Sequence, residues 1–286
     1  MMDFSVFREL IRQALAEDLG AGDVTTEALV APEETVRGTI IARQEMVVAG
    51  LPLAEMVFRE LDPTMRFQRF VEDGSSVISG APLLELEGAA RAILGGERTA
   101  LNFIQHLSGV ATLTSRFSRR AGGKGVVVLD TRKTIPCLRK LQKYAVEKGG
   151  GVNHRFGLYD AILVKDNHLK LLSRRGPGAI SQAVKLCRGK YPAQAVEVEV
   201  ENLEQLEEAI NAGAEIALLD NFTPQEIREA VELAAGRIRL EASGGITDRD
   251  FEEFLTEGLN SISLGCLTHS APAADVSLDL ELDPFD

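Results

Sequence analysis

The stretch AVEVEVENLEQLEEAINAGAEIALLDNFTPQEIREAVELAAGRIRLEASGG, residues 195–245, decides the fold. Three short apolar runs, AVEVEV (195–200), IALLD (216–220) and IRLEAS (238–243), alternate with NLEQLEEAINAG (202–213) and TPQEIREAVELAAG (223–236), which follow a helical pattern. Strands this short and apolar, separated by helices, predict parallel βαβ units, since a sheet covered by helices hides such runs from water.

The same rhythm extends outward in both directions. VVVLD (126–130) and AILVK (161–165) precede these strands and SISLG (261–265) follows them. Six such units fit a closed barrel or a doubly wound sheet. No GxGxxG follows the first strand, so a dinucleotide fold loses its main support. Asp130, Lys165, Glu199, Asp220 and Ser243 stand at strand ends, where barrels build their sites, and this favours the barrel.

Towards the N-terminus the pattern is mixed. Phe4, Phe7, Ile11, Ala14 and Leu15 predict an opening helix stopped by Gly20. Strand-like β-branched runs follow around 37–49, then a helix over 52–61 and short strands between Gly turns in FQRFVEDGSSVISGAPLLELEG. Residues 89–121 lack Pro and predict one long helix or two, broken near Gly95-Gly96 and Gly109.

Composition narrows the class. The length of 286 residues suits about two domains. Three cysteines, Cys137, Cys187 and Cys266, with no CxxC spacing, argue against a disulfide framework or structural zinc and point to a reducing cytoplasm. The start lacks a signal-peptide pattern, and nowhere do 18 apolar residues run together, so no membrane partner is expected. A net charge of −12 argues against nucleic acid as a general partner. Residues 131–175 invert that charge, with eleven Lys/Arg against three acids. Either a solvated basic face or an anion site accounts for them, and cations at strand ends favour the latter.

DTRKT (130–134) leaves a strand with Arg132 and Lys133 side by side, a planar fork and a point charge suited to carboxylate or phosphate. GGGVNHRFGLYDAILVKDNH (149–168) places His154 and Arg155 after a glycine run and Lys165 at a strand end. A strand-end Lys also suits Schiff-base chemistry, but the surrounding cations favour anion binding. Glu199 and Asp220 suit Mg²⁺ or ribose hydroxyls, and Glu197 shares the face of Glu199. Ion pairing of these carboxylates to Lys165 or Lys133 is the alternative. EASGGITD (241–248) and SLGCLTHS (263–270) are late Gly-containing turns of the kind that bind phosphate. The carrier-domain look of residues 71–88 lacks its attachment Lys, since the first Lys of the chain is Lys124.

The string DTRKTIPCLRKLQKYAVEKGGGVNHRFGLYDAILVKDNH resembles quinolinate phosphoribosyltransferase (nicotinate-nucleotide pyrophosphorylase, carboxylating) without a gap. EDLGAGDVTT, ERTALNFIQHLSGVAT, EVEVENLEQLEEA, LLDNF, EASGGI and SLGCLTHS match in order. The resemblance implies an α/β protein. An N-terminal open α/β sandwich, residues 1–110 completed by the tail 272–286, would join an incomplete α/β (TIM-like) barrel, residues 111–271, that carries the active site. It implies transfer of a phosphoribosyl group to quinolinate with decarboxylation, in NAD biosynthesis. It also implies Mg²⁺ and a homodimer with shared sites, with a trimer of dimers as a further assembly it allows.

The same resemblance implies site residues. Arg98, Thr131, Arg132, Lys133, His154, Arg155 and Lys165 would meet quinolinate, and Glu199, Asp220, Ser243, Gly244, Gly245 and Gly265 the phosphoribosyl group. Lys133, Lys165, Glu199 and Asp220 are the implied catalytic set, with Glu199 and Asp220 towards the metal, directly or through waters and pyrophosphate. Cys137 departs from the family, which usually has Gly after this Pro.

Overall fold

The computed structural model describes residues 2–281; Met1 and residues 282–286, the end of the tail assigned to the first domain, lie outside them. The chain divides into two compact units, one of residues 1–115, 144–150 and 271–286, the other of residues 116–143 and 151–270. In chain order the elements begin with α1 (Arg8–Leu19), α2 (Val24–Leu29), β1 (Thr35–Ala42), β2 (Met46–Val47), α3 (Leu51–Leu61), β3 (Arg66–Arg69), β4 (Ser76–Val77), β5 (Pro82–Ala89) and α4 (Ala90–Gly122). They continue with β6 (Val127–Leu129), α5 (Arg139–Lys148), β7 (Ile162–Val164), α6 (Asp166–Ser173), α7 (Ala179–Lys190) and β8 (Val196–Val200). The last are α8 (Leu203–Ala212), β9 (Ile216–Asp220), α9 (Pro224–Ala234), β10 (Arg239–Ser243), α10 (Phe251–Phe254), β11 (Ser261–Ser263), α11 (Cys266–His269) and β12 (Val276–Glu281).

In the first unit an antiparallel sheet has the order β12-β1-β5-β3, so residues 276–281 of the tail pair with β1. Ile40 pairs with Leu278 on one side and Leu84 on the other, and both Ile40 and Leu84 are fully buried. The opening helix begins with a 3-10 turn, Phe4–Phe7, and ends at Gly20, whose φ of 53° suits glycine. Of the two alternatives for residues 89–121, one long helix or two broken at glycine, the structure shows the first: α4 runs unbroken for 33 residues. Its glycines mark close approach. A Cβ on Gly96 would lie 2.9 Å from Phe58, and one on Gly109 would lie 2.1 Å from the carbonyl oxygen of Pro272. Packing thus outweighs the cost of about 1 kcal/mol that glycine carries within a helix.

In the second unit six parallel strands take the order β6-β11-β10-β9-β8-β7. Val152 extends the β6 edge by one bridge to Leu129. No pairing joins β6 or Val152 to β7 among the described residues, so the barrel is open. Helix ends follow local chemistry. Asn202 caps α8 through Gln205 N–H (2.9 Å), and Gly213 ends that helix at a φ of 77°. Thr223 and Glu226 form a capping box at α9, with Pro224 at its first position. Val196, Val198 and Val200 of β8 are fully buried, and the period of two places Glu197 and Glu199 on the opposite face.

Candidate active site

That opposite face, at the C-terminal ends of the strands, carries a cavity of about 330 Å³. Thr131, Arg132 and Lys133 after β6, His154 and Arg155 after Val152, and Lys165 after β7 line it, with Glu199, Asp220 and Ser243 on the next three strands. Parallel register sets Asp220 beside Ser243 and Ser243 beside Ser263, whose hydroxyls lie 2.9 Å apart. Nine of the residues named from the sequence therefore share one cavity. A larger groove of about 590 Å³ beside β7 is mostly apolar and gathers few charges.

The cations are poorly neutralised. Arg132, Lys133 and Arg155 form no ion pair with a carboxylate among the described residues, and the buried Nε of Arg132 has no partner. Burial, then the neighbouring Arg132, pull the pKa of Arg155 below the usual guanidinium range. Two guanidiniums held this way leave the cavity short of negative charge. Lys165 instead pairs with Glu199 at 3.0 Å. Asp220 sits close enough to Glu199 for repulsion to matter. Burial first and Glu199 second raise its pKa, against Lys165 and Lys133.

Beneath these groups lies a buried charge cluster that the sequence only half disclosed. His154 Nε2 is 3.2 Å from Glu197 and 3.7 Å from Glu241, and both carboxyl groups are almost wholly buried. Burial would lower the His154 pKa, but Glu197 and Glu241 outweigh it and raise the value. Nδ1 accepts the N–H of Arg155 at 2.7 Å, which assigns the ring proton to Nε2, facing the carboxylates. Both ring nitrogens of His154 are thus engaged, Nε2 by the carboxylates and Nδ1 by the Arg155 backbone. Glu241 is pushed up to about 7, by burial and then by Glu197. Its one visible sign in the sequence is an acid between the apolar Leu240 and Ala242 of a strand run.

The late turns are built on glycine by necessity. Gly244 has a φ of 89°, and a Cβ there would lie 2.3 Å from Asn221 Oδ1 and 3.0 Å from Asn221 N. Gly245, at a φ of 64°, follows. A Cβ on Gly265 would lie 3.0 Å from Lys133 Cδ, so the turn after β11 abuts that lysine. Thr268 Oγ1 donates to the Lys133 carbonyl at 2.8 Å, fixing its backbone. Arg98 is exposed on α4 in the first unit and is not part of the lining. Cys137 is exposed at a φ of 66°, the left-handed region that explains the family's preference for Gly there.

An open parallel α/β barrel whose strand ends gather cations around a carboxylate pair defines an enzyme of small polyanions. Matches to known proteins narrow this class. The model of the quinolinate phosphoribosyl transferase C-terminal domain matches residues 110–279, and that of its N-terminal domain residues 23–108. A probable nicotinate-nucleotide pyrophosphorylase [carboxylating] of Bacillus subtilis is 41% identical over 282 residues, covering 98% of this chain and 96% of that protein. The nicotinate-nucleotide pyrophosphorylase [carboxylating] of Mycobacterium leprae is 40% identical over 97% of this chain and 98% of its own. The structure of the nicotinate-nucleotide pyrophosphorylase from Francisella tularensis superposes with a TM-score of 0.91 at 39% identity, covering 98% of both chains. The chain belongs to the quinolinate phosphoribosyltransferase family.

Proposed function

We propose that this protein transfers the phosphoribosyl group of phosphoribosyl pyrophosphate to the ring nitrogen of quinolinate, releasing pyrophosphate and CO₂ and forming nicotinate mononucleotide. The observation that carries this reading is the pair Arg132 and Arg155, which face one cavity without a carboxylate partner. A ring bearing two adjacent carboxylates supplies the missing charge on both. With the acid so held, its nitrogen lone pair is directed at the anomeric carbon as the bond to pyrophosphate breaks. Lys133 and Lys165 add positive charge around the bound acid. The ring nitrogen then bears positive charge, so the electrons of the bond to the 2-carboxylate can remain on the ring until that carbon takes a proton.

Glu199 and Asp220 fit a divalent cation: both offer hard oxygen donors, and their mutual repulsion, seen in the raised Asp220 pKa, is what such an ion relieves. Mg²⁺ bound there supplies neutralisation of the pyrophosphate oxygens. Ser243 and the Gly244-Gly245 and Gly265 turns offer backbone N–H groups to the 5-phosphate. The active unit in this reading is a homodimer in the cytoplasm, with Arg98 serving a partner's cavity. No described helix is long and apolar enough to cross a membrane.

The test is turnover of quinolinate and of nicotinate side by side with phosphoribosyl pyrophosphate and Mg²⁺. Quinolinate yields CO₂ with each product molecule. Nicotinate leaves one half-buried guanidinium without its carboxylate, so its kcat/KM falls by about 10⁴. Comparable efficiency with the two acids rejects the dicarboxylate site.

A further inference from the structure

Arg132 and Arg155 repel each other across the cavity, yet they belong to segments with little regular structure. Residues 151–161, between a glycine run and β7, make a single β-bridge, at Val152. Something outside the cavity must hold His154-Arg155 in place when no anion is bound. Two side chains that bind this segment's backbone are Asp130 and Lys143, neither of which lines the cavity.

Both side chains are completely buried, and Lys143 Nζ donates to Asp130 Oδ1. The same Oδ1 accepts the backbone N–H of His154 at 2.8 Å, and the same Nζ donates to the backbone carbonyl of His154 at 2.8 Å. The ion pair therefore holds both main-chain polar groups of one residue, the neighbour of Arg155. Asp130 directly precedes Thr131-Arg132-Lys133, so the pair ties one cation-bearing segment to the other. Burial pushes the Asp130 pKa up and the Lys143 pKa down, each towards loss of charge, and their mutual contact opposes this. A buried ion pair is on average no more stable than a well-packed apolar pair, so stability alone gives no reason for one here.

We propose that Asp130 and Lys143 are positioning residues that clamp the His154 backbone and thereby hold Arg155 opposite Arg132 for the two carboxylates of the acid. The proposal rests on the dicarboxylate reading above. It assigns the pair no contact with substrate; its effect reaches the acid only through placement of Arg155.

The test uses the full chain in two variants, the double Asp130→Asn/Lys143→Met, which removes both charges of the pair, and Lys143→Gln, which keeps a donor for the His154 carbonyl. Circular dichroism verifies folding, and the KM of each substrate is measured with kcat. A displaced cation costs up to about 10²-fold in binding geometry. The expected result is a quinolinate KM at least about tenfold higher in the double variant, smaller in Lys143→Gln, with the phosphoribosyl pyrophosphate KM within about threefold of wild type. An unchanged quinolinate KM, or an equal rise for both substrates, overturns the clamp. So does loss of folding in both variants, which makes the pair merely structural. Failure of the wild type to use quinolinate defeats the functional reading instead, and wild-type turnover separates the two cases.

Discussion

Replacing Glu241 with Gln should make the protein more stable at pH 8 and leave it nearly unchanged at pH 5. Two buried carboxyl groups, Glu197 and Glu241, share one imidazole, and Oε1 of each lacks a hydrogen bond. Burial first, and Glu197 second, hold Glu241 at about 7 rather than 4.5. On raising the pH the unfolded chain releases this proton near 4.5, and the folded chain keeps it until about 7. The folded state thus binds more protons within that window, so stability falls as pH rises through it. The distance from 4.5 to about 7 corresponds to at most about 3 kcal/mol at pH 8. The substituted amide is neutral at every pH and nearly isosteric, while Glu197 keeps its 3.2 Å contact with His154. Urea unfolding at pH 5, 6, 7 and 8, at equal m, reads the difference. A gap between variant and wild type that does not grow from pH 5 to pH 8 refutes the buried-carboxyl account.

Glu199→Gln and Asp220→Asn should each raise the KM for phosphoribosyl pyrophosphate far more than that for quinolinate and weaken the dependence on Mg²⁺; wild-type kinetics in both variants reject their assignment to the phosphoribosyl side. Mixing inactive Arg98→Ala with inactive Lys165→Ala protein should restore some activity after subunit exchange, since a heterodimer would hold one intact site. No recovery after verified exchange counts against shared sites. Cys137→Gly should leave kinetics unchanged and stabilise the fold, because relief of a left-handed non-glycine residue (φ 66°) exceeds the added chain entropy by roughly 0.5 kcal/mol. A lower midpoint in thermal unfolding contradicts that strain.

Local pattern carried most of the fold. The six strand runs of residues 126–265 all form, and the period of two in AVEVEV foretold that Glu197 and Glu199 share a face. Strand-end position was enough to bring Arg132, Lys133, Lys165, Glu199, Asp220 and Ser243 to one cavity, because parallel strands align their C-terminal ends. Family motifs then named the reaction, which charge and spacing alone left at polyanion handling.

Other features depended on distant partners. The glycines of α4 look like helix breaks in sequence, and only the approach of Phe58 and of Pro272, more than 160 residues beyond Gly109, shows why they sit within an unbroken helix. Lys143 reads as one more surface cation on a basic helix, yet it is buried against Asp130 and His154. Glu241 reads as an exception in an apolar strand until parallel pairing carries it to His154, 87 residues earlier in the chain. Sequence periodicity shows which residues share a face, because side-chain direction is a local property of helix and strand. Which charges meet across that face, and at what pKa, follows from strand order and burial, and these exist only once the chain has folded.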